Sequence, residues 1–500
     1  MSDAAQEVPL GRRIAILAAV VLGSTLYATT LLVASSLLPQ MQGSFAATAD
    51  EIAWTTTFNI LATAIVTPMT GFLTARFGRR RTMVTCVAGF TLATWLCGQA
   101  ESLEAVVLWR VVQGGIGAPM IPLSNAIVLD TFPRRQAGLV SSIFGMTVVL
   151  GPVIGPALGG VLAETYNWRW AFYMIVPAGA LATLALRLTL PPDRPGARLP
   201  LDWLGFLALA TAIAALQLVI ARGQRLDWYE SDEIIIETGI AVLAFYVFLA
   251  HSLTTRFPFL NLKLLLNRNY ALGLVLVTVY GMVNFTPIVL LPSLLQTYAG
   301  YPDSIIGLIV GYRGIGGTIG FGCTLLIGRW DPRIGMGLGF GLLVVSGLWL
   351  MALDLNVDAV TLQLNAMLQG VAVGIIWVPL TVMTFSALES RYLAEAMSVF
   401  HLLRNIGSSL FISLCVTEIV RSGAMNYSRM TEMITPYNKV LGVPNLMGGW
   451  SVETVVDLAK LGREITRQAA MLGYINAFGM FTAASGVAIC FVLLGRRRRA

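Results

Sequence analysis

The sequence predicts an all-α polytopic membrane protein that crosses the bilayer about fourteen times, on three observations. Of its 500 residues, 56% are hydrophobic and only 12% are charged, about half the charged share of a soluble domain. Apolar runs recur from "IAILAAVVLGSTLYATTLLVASSLL" near the start to "YINAFGMFTAASGVAICFVLLG" near the end, and each reaches the roughly 20 residues a helix needs to cross hydrocarbon. The basic residues, finally, mark sides. Arg12 and Arg13, Arg76 with Arg79, Arg80 and Arg81, Arg134 and Arg135, Arg194 and Arg198, Arg256 and Arg268, Arg329 and Arg333, Arg391, and Arg496 to Arg499 fall on alternate sides of successive runs. The short loops at 39–51, 99–105, 296–304 and 353–360 contain no Lys or Arg. By the positive-inside rule both termini are cytoplasmic. The net charge of +7 is thus spread through loops and not gathered on one soluble face, which argues against a nucleic-acid partner. The five cysteines, Cys86, Cys97, Cys323, Cys415 and Cys490, all fall inside runs and read as small packing residues, with no disulfide or metal framework. The first run is too long to be the core of a signal peptide.

In order, the runs lie at 14–37, 52–74, 82–99, 104–130, 138–163 and 168–190, closed by the Pro-rich, charged break "PPDRPGARLPLDW". Two more follow at 202–221 and 234–252, joined by a loop that mixes Arg222 and Arg225 with Asp227, Glu230, Asp232 and Glu233. A second break, "TTRFPFLNLKLLLNRN", precedes the last six at 269–292, 304–328, 334–353, 360–386, 394–419 and 470–494. The chain therefore divides into a six-helix bundle over 1–190, a linker with two extra helices over 191–265, and a second six-helix bundle over 266–500. Residues 420–468 form a long polar excursion on the extracytoplasmic side. An internal repeat supports the two bundles. "VVQGGIGAPMIPLSNAIV" is echoed by "MLQGVAVGIIWVPLTVMTF", Gln113-Gly114 matching Gln369-Gly370 and Pro122-Leu123 matching Pro379-Leu380 after a one-residue gap. Parallel repeats of this kind let transporters rock two halves around a midplane site.

Span five carries "GMTVVLGPVIGPALGG", Gly145 to Gly160, with five glycines and two prolines. Gly151, Gly155 and Gly159 are four apart and share a face, the small-residue pattern that brings helix backbones together in lipid. Pro152 and Pro156 each free a carbonyl four residues back. Together they predict a helix that presses on a neighbour and flexes where two bundles meet.

The spacing GxxxxxGPxxGPxxGG resembles the antiporter motif of the major facilitator superfamily. "NWRWAFYMIVPAG" resembles its fourteen-span drug:proton antiporter branch, the EmrB/QacA type. "RVVQGGIGAPMIPLS", "LLPSLLQTYAGY" and "LQGVAVGIIWVPLT" extend the likeness over essentially the whole chain, closest to the EmrB-like permeases. That resemblance implies the major facilitator fold, residence in a bacterial inner membrane, export of small amphiphilic drugs in exchange for protons, and no cofactor. It also implies a periplasmic adaptor and an outer-membrane channel as partners in a Gram-negative host. "GFLTARFGRRR" resembles the cytoplasmic loop signature that locks the bundles, with Gly71 and Gly78 at the turn, Arg76, Arg79, Arg80 and Arg81 as the basic cluster, and Asp130 the nearest carboxylate by topology. The family's usual acid is replaced here by Ala75.

Arg110 lies inside span four, three residues before Gln113. The two share a helix face, and a charge at that depth costs at least about 2.5 kcal/mol unless it meets a polar interior. The resemblance links the matching arginine to proton coupling. Arg313 and Arg404 are further arginines inside spans, and His401 could titrate near neutral pH. None of the 26 Asp and Glu residues sits at the centre of a span: Asp130, Glu237, Glu395 and Glu418 lie near ends, and span one has Thr30 nine residues before Pro39 where relatives carry an acid. Coupling then runs through a peripheral carboxylate, through His401, or outside the usual proton route. Asn59, Asn125, Asn284, Gln296, Trp377 and Asn405 are the candidates for the substrate cavity, each with an alternative reading as inter-helix glue. A cavity rich in arginine favours neutral or anionic amphiphiles over dications. No P-loop, HExxH or GxSxG is present, so enzyme chemistry and ATP-driven pumping are not expected. Two other readings stay open, an uncoupled exporter of one metabolite, fatty acid or siderophore, and a transport-inactive scaffold or sensor.

Overall fold

The computed structural model describes residues 9–493 except 134–135, 194–201, 256–257, 328–330, 387, 390–391, 436 and 439–453. Arg134, Arg135, Arg194, Arg198, Arg256, Arg329, Arg391 and Arg496 to Arg499 therefore lie outside the described residues.

Helices of membrane length follow one another as the apolar runs predict. Span one is Leu10–Phe45. Span two, Ala49–Val66, starts at a capping box in which Thr48 and Glu51 satisfy each other's backbone N–H, and it continues through a tight turn at Pro68 into Thr70–Phe77. Span three is Arg79–Gln99, and span four is Leu103–Gly117 followed by Met120–Thr131, interrupted at Pro119. Ala137–Thr165 forms span five, and Trp170–Tyr173 with Ile175–Thr189 forms span six. The inserted pair is Trp203–Arg222 and Asp232–Thr254. Spans nine to fourteen are Arg268–Leu294, Asp303–Ile327, Pro332–Met351, Ala359–Phe385, Leu393–Thr431 and Val455–Leu493.

Twelve of these are both long and apolar enough to cross a membrane by composition among the described residues. The other two, spans three and five, are helices of 21 and 29 residues, long enough at 1.5 Å per residue; span three is diluted by threonine and its basic first turn, and several side chains of span five lie outside the described residues. In span eight, Ile236, Val242, Leu243, Tyr246 and Leu253 are all exposed, the outward apolar surface that lipid covers. The polar excursion after span thirteen is not a loop at its two ends. Helix continues to Thr431 and resumes at Val455, and the antiparallel pair is pinned by Asn476, which donates to Glu418 at 3.2 Å and to Ser422 at 2.9 Å. Residues 439–453 of the excursion lie outside the described residues.

Buried apolar side chains divide the molecule. Two clusters, one around Phe90, Phe144 and Ile175 and one around Trp168 and Phe172, fill the first bundle. A larger one around Phe340, Phe400 and Phe478 fills the second, with Ala126 its single buried member from the first among the described residues. A fourth joins the inserted pair through Leu209, Ile213 and Phe248 to Ala64 of span two and to Leu402 of span thirteen. The pair thus straddles one side of the inter-bundle seam. It is fastened to span thirteen by Ser409 donating to Gln217 at 3.0 Å and Ser413 donating to the Ile220 carbonyl at 2.8 Å. The mixed-charge loop between spans seven and eight closes on itself, Arg222 pairing with Glu233 at 2.6 Å and Glu237 at 3.0 Å.

Asp202 sets the pair's entry. Its carboxylate accepts from the Gly205 N–H at 2.9 Å, the Phe259 N–H at 3.0 Å and His251 Nε2 at 2.8 Å. Burial alone would raise its pKa, but these donors outweigh it and hold the group below the ordinary carboxylate range. A depressed carboxylate stabilises the fold above its unfolded pKa, about 3.9, and loses that contribution as pH falls through the folded value. Asp202→Asn keeps a capping oxygen but loses the charge that strengthens the His251 and Phe259 bonds; it should therefore cost about 1 kcal/mol at neutral pH, read as a lower Tm, and the gap to the parent should narrow below about pH 4.

Candidate functional site

The repeat places one arginine cluster in each bundle. In the first, Arg110 is 1% exposed. Its Nη1 donates to Gln113 Oε1 at 2.5 Å and its Nε to the Thr55 carbonyl at 3.3 Å. Gln113 passes the chain on to Thr94 Oγ1 at 2.7 Å. Asn59 donates to the Arg110 carbonyl at 2.7 Å, and Thr63 bridges the Gly114 carbonyl and the Tyr27 hydroxyl. In the second bundle Arg313, 5% exposed, donates to Gln369 Oε1 and to Asn284 through its carbonyl at 2.7 Å and its Oδ1 at 3.0 Å. Gln369 continues to Asn365 at 2.7 Å and Asn365 to the Ser346 carbonyl at 3.0 Å. A cavity of about 20 Å³, room for about one water, lies beside Arg313.

Gly114 packs on the backbone of Asn59, and Gly370, its repeat partner, packs on the backbone of Arg313. Asn59 and Arg313 are therefore equivalent positions. Each bundle keeps the glutamine of span four or twelve, but the arginine comes from span four in one half and from span ten in the other. This assigns Asn59 and Asn284 to the support of buried arginines and away from an open cavity. Asn125 is buried with its amide nitrogen unpartnered among the described residues, and Gln296 is exposed in the π-helical turn Leu295–Ala299 that ends span nine.

Between the bundles lies a third cluster. Trp377 of span twelve stands 5.9 Å from His401 and 5.3 Å from Tyr280, ring centre to ring centre. The Arg404 guanidinium lies 5.8 Å over the rings of both Trp377 and Phe285. Its bonds go to the neighbouring Asn405 Oδ1 at 3.4 and 3.2 Å. Arg404 is also within electrostatic range of Tyr27 in the first bundle and Tyr280 in the second. The sequence brings Trp377, His401, Arg404 and Asn405 forward, but the two tyrosines carry no signal beyond an aromatic in an apolar run.

The glycine stripe of span five has a different partner from the one expected. A Cβ on Gly151 would stand 2.7 Å from the Thr25 carbonyl, one on Gly155 2.7 Å from the Thr29 carbonyl, and one on Gly159 3.1 Å from Val33. All three belong to span one of the same bundle, so the stripe welds a bundle internally and does not form the seam between bundles. Gly160 meets open space, whereas Gly145 faces Phe321 and Trp377 of the other half. Ser142 and Thr324 share a hydrogen bond of 2.8 Å across the same seam. The helix runs unbroken through Pro152 and Pro156, whose side-chain surroundings lie outside the described residues.

At this end of the bundles the basic turn is built largely as its motif implies. Gly78 takes φ +91°, a conformation that glycine tolerates, and Arg79 pairs with Asp130 at 2.5 Å. Arg80 donates to the Arg187 carbonyl at 2.6 Å. Arg76 pairs with no carboxylate among the described residues and lies over Phe72 and Phe77 at 5.7 and 5.8 Å. Asp193, hidden from sequence reading in the Pro-rich break, accepts from the backbone N–H groups of Arg80 and Arg81 at 2.8 and 2.9 Å. It caps span three, where an anion is favoured. Gly71 abuts Glu395 of span thirteen, where a Cβ would stand 2.9 Å from the Glu395 Cβ. Glu395 in turn accepts from the Asn261 N–H at 2.5 Å. A cavity of about 750 Å³ lies on the flank of this turn, among Phe77, Arg80, Arg81 and Arg187, apart from the inter-bundle cluster.

Known proteins match this architecture. The sequence profile of the Major Facilitator Superfamily matches residues 20–412. The chain is 30% identical over 475 residues to the multidrug export protein EmrB of Escherichia coli (strain K12), covering 93% of this chain and 90% of that one. It is 31% identical over 454 residues to the fatty acid resistance protein FarB of Neisseria gonorrhoeae, covering 89% of each. The proton:xylose symporter XylE superposes with a TM-score of 0.63 at 12% identity, over 97% of this chain and 96% of that one, a likeness of fold alone. Repeat, paired bundles, inter-bundle cluster and these matches agree on a membrane transporter: the chain belongs to the Major Facilitator Superfamily.

Proposed function

We propose that this transporter exports small amphiphilic compounds by alternating access, in exchange for protons, from the inner membrane of a bacterium with both termini in the cytoplasm. One observation carries the mechanism. Each bundle has its own apolar core, while the two meet along one face, span five against spans ten and twelve and span thirteen against spans two and four, through the Ser142–Thr324 bond, close approaches at Gly71 and Gly145, and apolar contacts of Ala126, Leu129 and Met146. Separate cores let each half move as a unit, whereas the glycine weld between spans one and five holds within one half. The drug-export reading follows the EmrB relatives. In that setting a periplasmic adaptor and an outer-membrane channel are the partners, and the helical ends of the excursion, to Thr431 and from Val455, offer them a docking stalk.

Coupling follows the peripheral route. None of the three arginines inside spans has a carboxylate partner among the described residues, while Glu395 sits at the Gly71 contact where the bundles touch. Proton uptake there would weaken its grip on Asn261 and loosen that contact. A second reading, export of one acidic lipid-like compound, is favoured by the FarB relative and by the absence of a mid-span acid.

Reconstitution in vesicles under an imposed pH gradient, with a panel of dyes and drugs, tests the proposal. Dye movement that follows the gradient and fails in Glu395→Gln is the expected result. Movement that ignores the gradient removes proton exchange, and no movement of any compound removes export.

A further inference from the structure

We propose that Arg404 anchors a binding site for a monoanionic amphiphile, a carboxylate on an apolar or aromatic body, held between the two bundles. This deepens the export reading and rests on it.

The three arginines inside the spans are not alike. Arg110 and Arg313 are buried and occupied, each engaging a glutamine and a backbone carbonyl of a neighbouring helix. Arg404 is half-buried, and its bonds, all long, go to the residue next to it in sequence. A guanidinium offers five N–H donors in a planar fork that fits a carboxylate with two parallel bonds. Most of that fork is unused.

Among the described residues the surroundings supply more donors and no anion. Trp377 is 5% exposed and His401 2%, and among the described residues neither the indole N–H nor either ring nitrogen of His401 has a partner. An indole nitrogen can only donate. Unpaired polar atoms at such depth are costly, and they cluster here: the His401 and Trp377 rings are 5.9 Å apart, and Arg404 lies over the Trp377 face. His401 and Arg404 are three residues apart on one helix and so share a face. The complement to a set of donors with a positive charge is an acceptor that carries a negative one. Phe285, Tyr280 and Trp377 then wall in its apolar body. An organic dication finds no acid here among the described residues to receive it.

The position gives the site a consequence. Arg404 reaches the electrostatic field of Tyr27 in one bundle and Tyr280 in the other, and Trp377 is, with Phe321, a residue against which Gly145 closes the seam. A bound anion therefore touches the surface on which the halves separate.

The full-length protein in nanodiscs of zwitterionic lipid, with empty nanodiscs subtracted, is titrated with a dansylated undecanoate and with the primary amide of the same molecule. The carboxylate is expected to bind about tenfold tighter or more, the worth of one charge-assisted hydrogen bond. In Arg404→Gln its affinity should fall to that of the amide while amide binding, which reports an intact protein, stays unchanged. Arg404→Lys should keep part of the preference, having the charge without the fork. Equal affinities in the parent protein, or a carboxylate preference that survives Arg404→Gln, overturns the site. The same probes in vesicles separate the two claims. Arg404-dependent binding without export supports the site and overturns the export reading, and export that ignores the headgroup overturns the site alone.

Discussion

Arg110→Ala is expected to reduce gradient-driven export by at least about tenfold, and Arg110→Lys to recover only a fraction of it. The side chain is the largest fully buried one among the described residues, and what it holds is a relay: Thr55 on span two, Gln113 on its own helix, and through Gln113 the Thr94 hydroxyl on span three. Truncation leaves Gln113 Oε1 and the Thr55 carbonyl without that donor, at a cost of about 1–3 kcal/mol each when buried. A lysine brings one ammonium where a fork bridged two directions. Loss of stability and loss of coupling are separated by a second readout. If Arg110 serves coupling, exchange of substrate down its own concentration gradient should persist in a variant whose response to the pH gradient is gone. If the variant folds and its gradient response is undiminished, the coupling role falls. The paired substitution Arg313→Ala provides a comparison, because the two arginines occupy different helices of the repeat and need not share a role.

How far these roles were legible in the sequence depends on the kind of information each needs. Helix identity in lipid follows from composition, because a spanning backbone must satisfy its own hydrogen bonds; the order of spans and the inserted pair were readable for that reason. The Gln113 and Gln369 echo was readable as a repeat, but the exchange of arginine between span four and span ten was not, since it depends on which backbone each glycine touches. Small-residue spacing in span five correctly demanded a close neighbour without naming it, and the neighbour is span one of the same bundle. The basic turn was readable down to Arg79 and Asp130. Asp193 was not, because a carboxylate in a Pro-rich break acquires meaning only when the chain folds it 113 residues back against Arg80. Tyr27 and Tyr280 were invisible for a related reason: an aromatic in an apolar run is ordinary core until an arginine is found beside it.

Ser142→Cys combined with Thr324→Cys, in a chain whose five native cysteines are replaced, is expected to bring export to background on oxidation and to restore it on reduction. The two hydroxyl oxygens already meet at 2.8 Å across the seam, so a disulfide needs little backbone movement to form. Each single cysteine should stay active, since a surviving Ser or Thr at an inter-helix contact in lipid is worth only about 0.6–2 kcal/mol. The result discriminates because of where the glycines are. With Gly151, Gly155 and Gly159 welding span five to span one, span five cannot slide away from its own bundle while its Ser142 end stays tethered to the other. Access at this end then requires whole bundles to separate, and one covalent bond at Ser142 forbids it. Continued export by a fully cross-linked protein would mean that substrate passes without parting the Ser142–Thr324 contact, and the rocking mechanism would have to give way to one in which only part of a bundle moves.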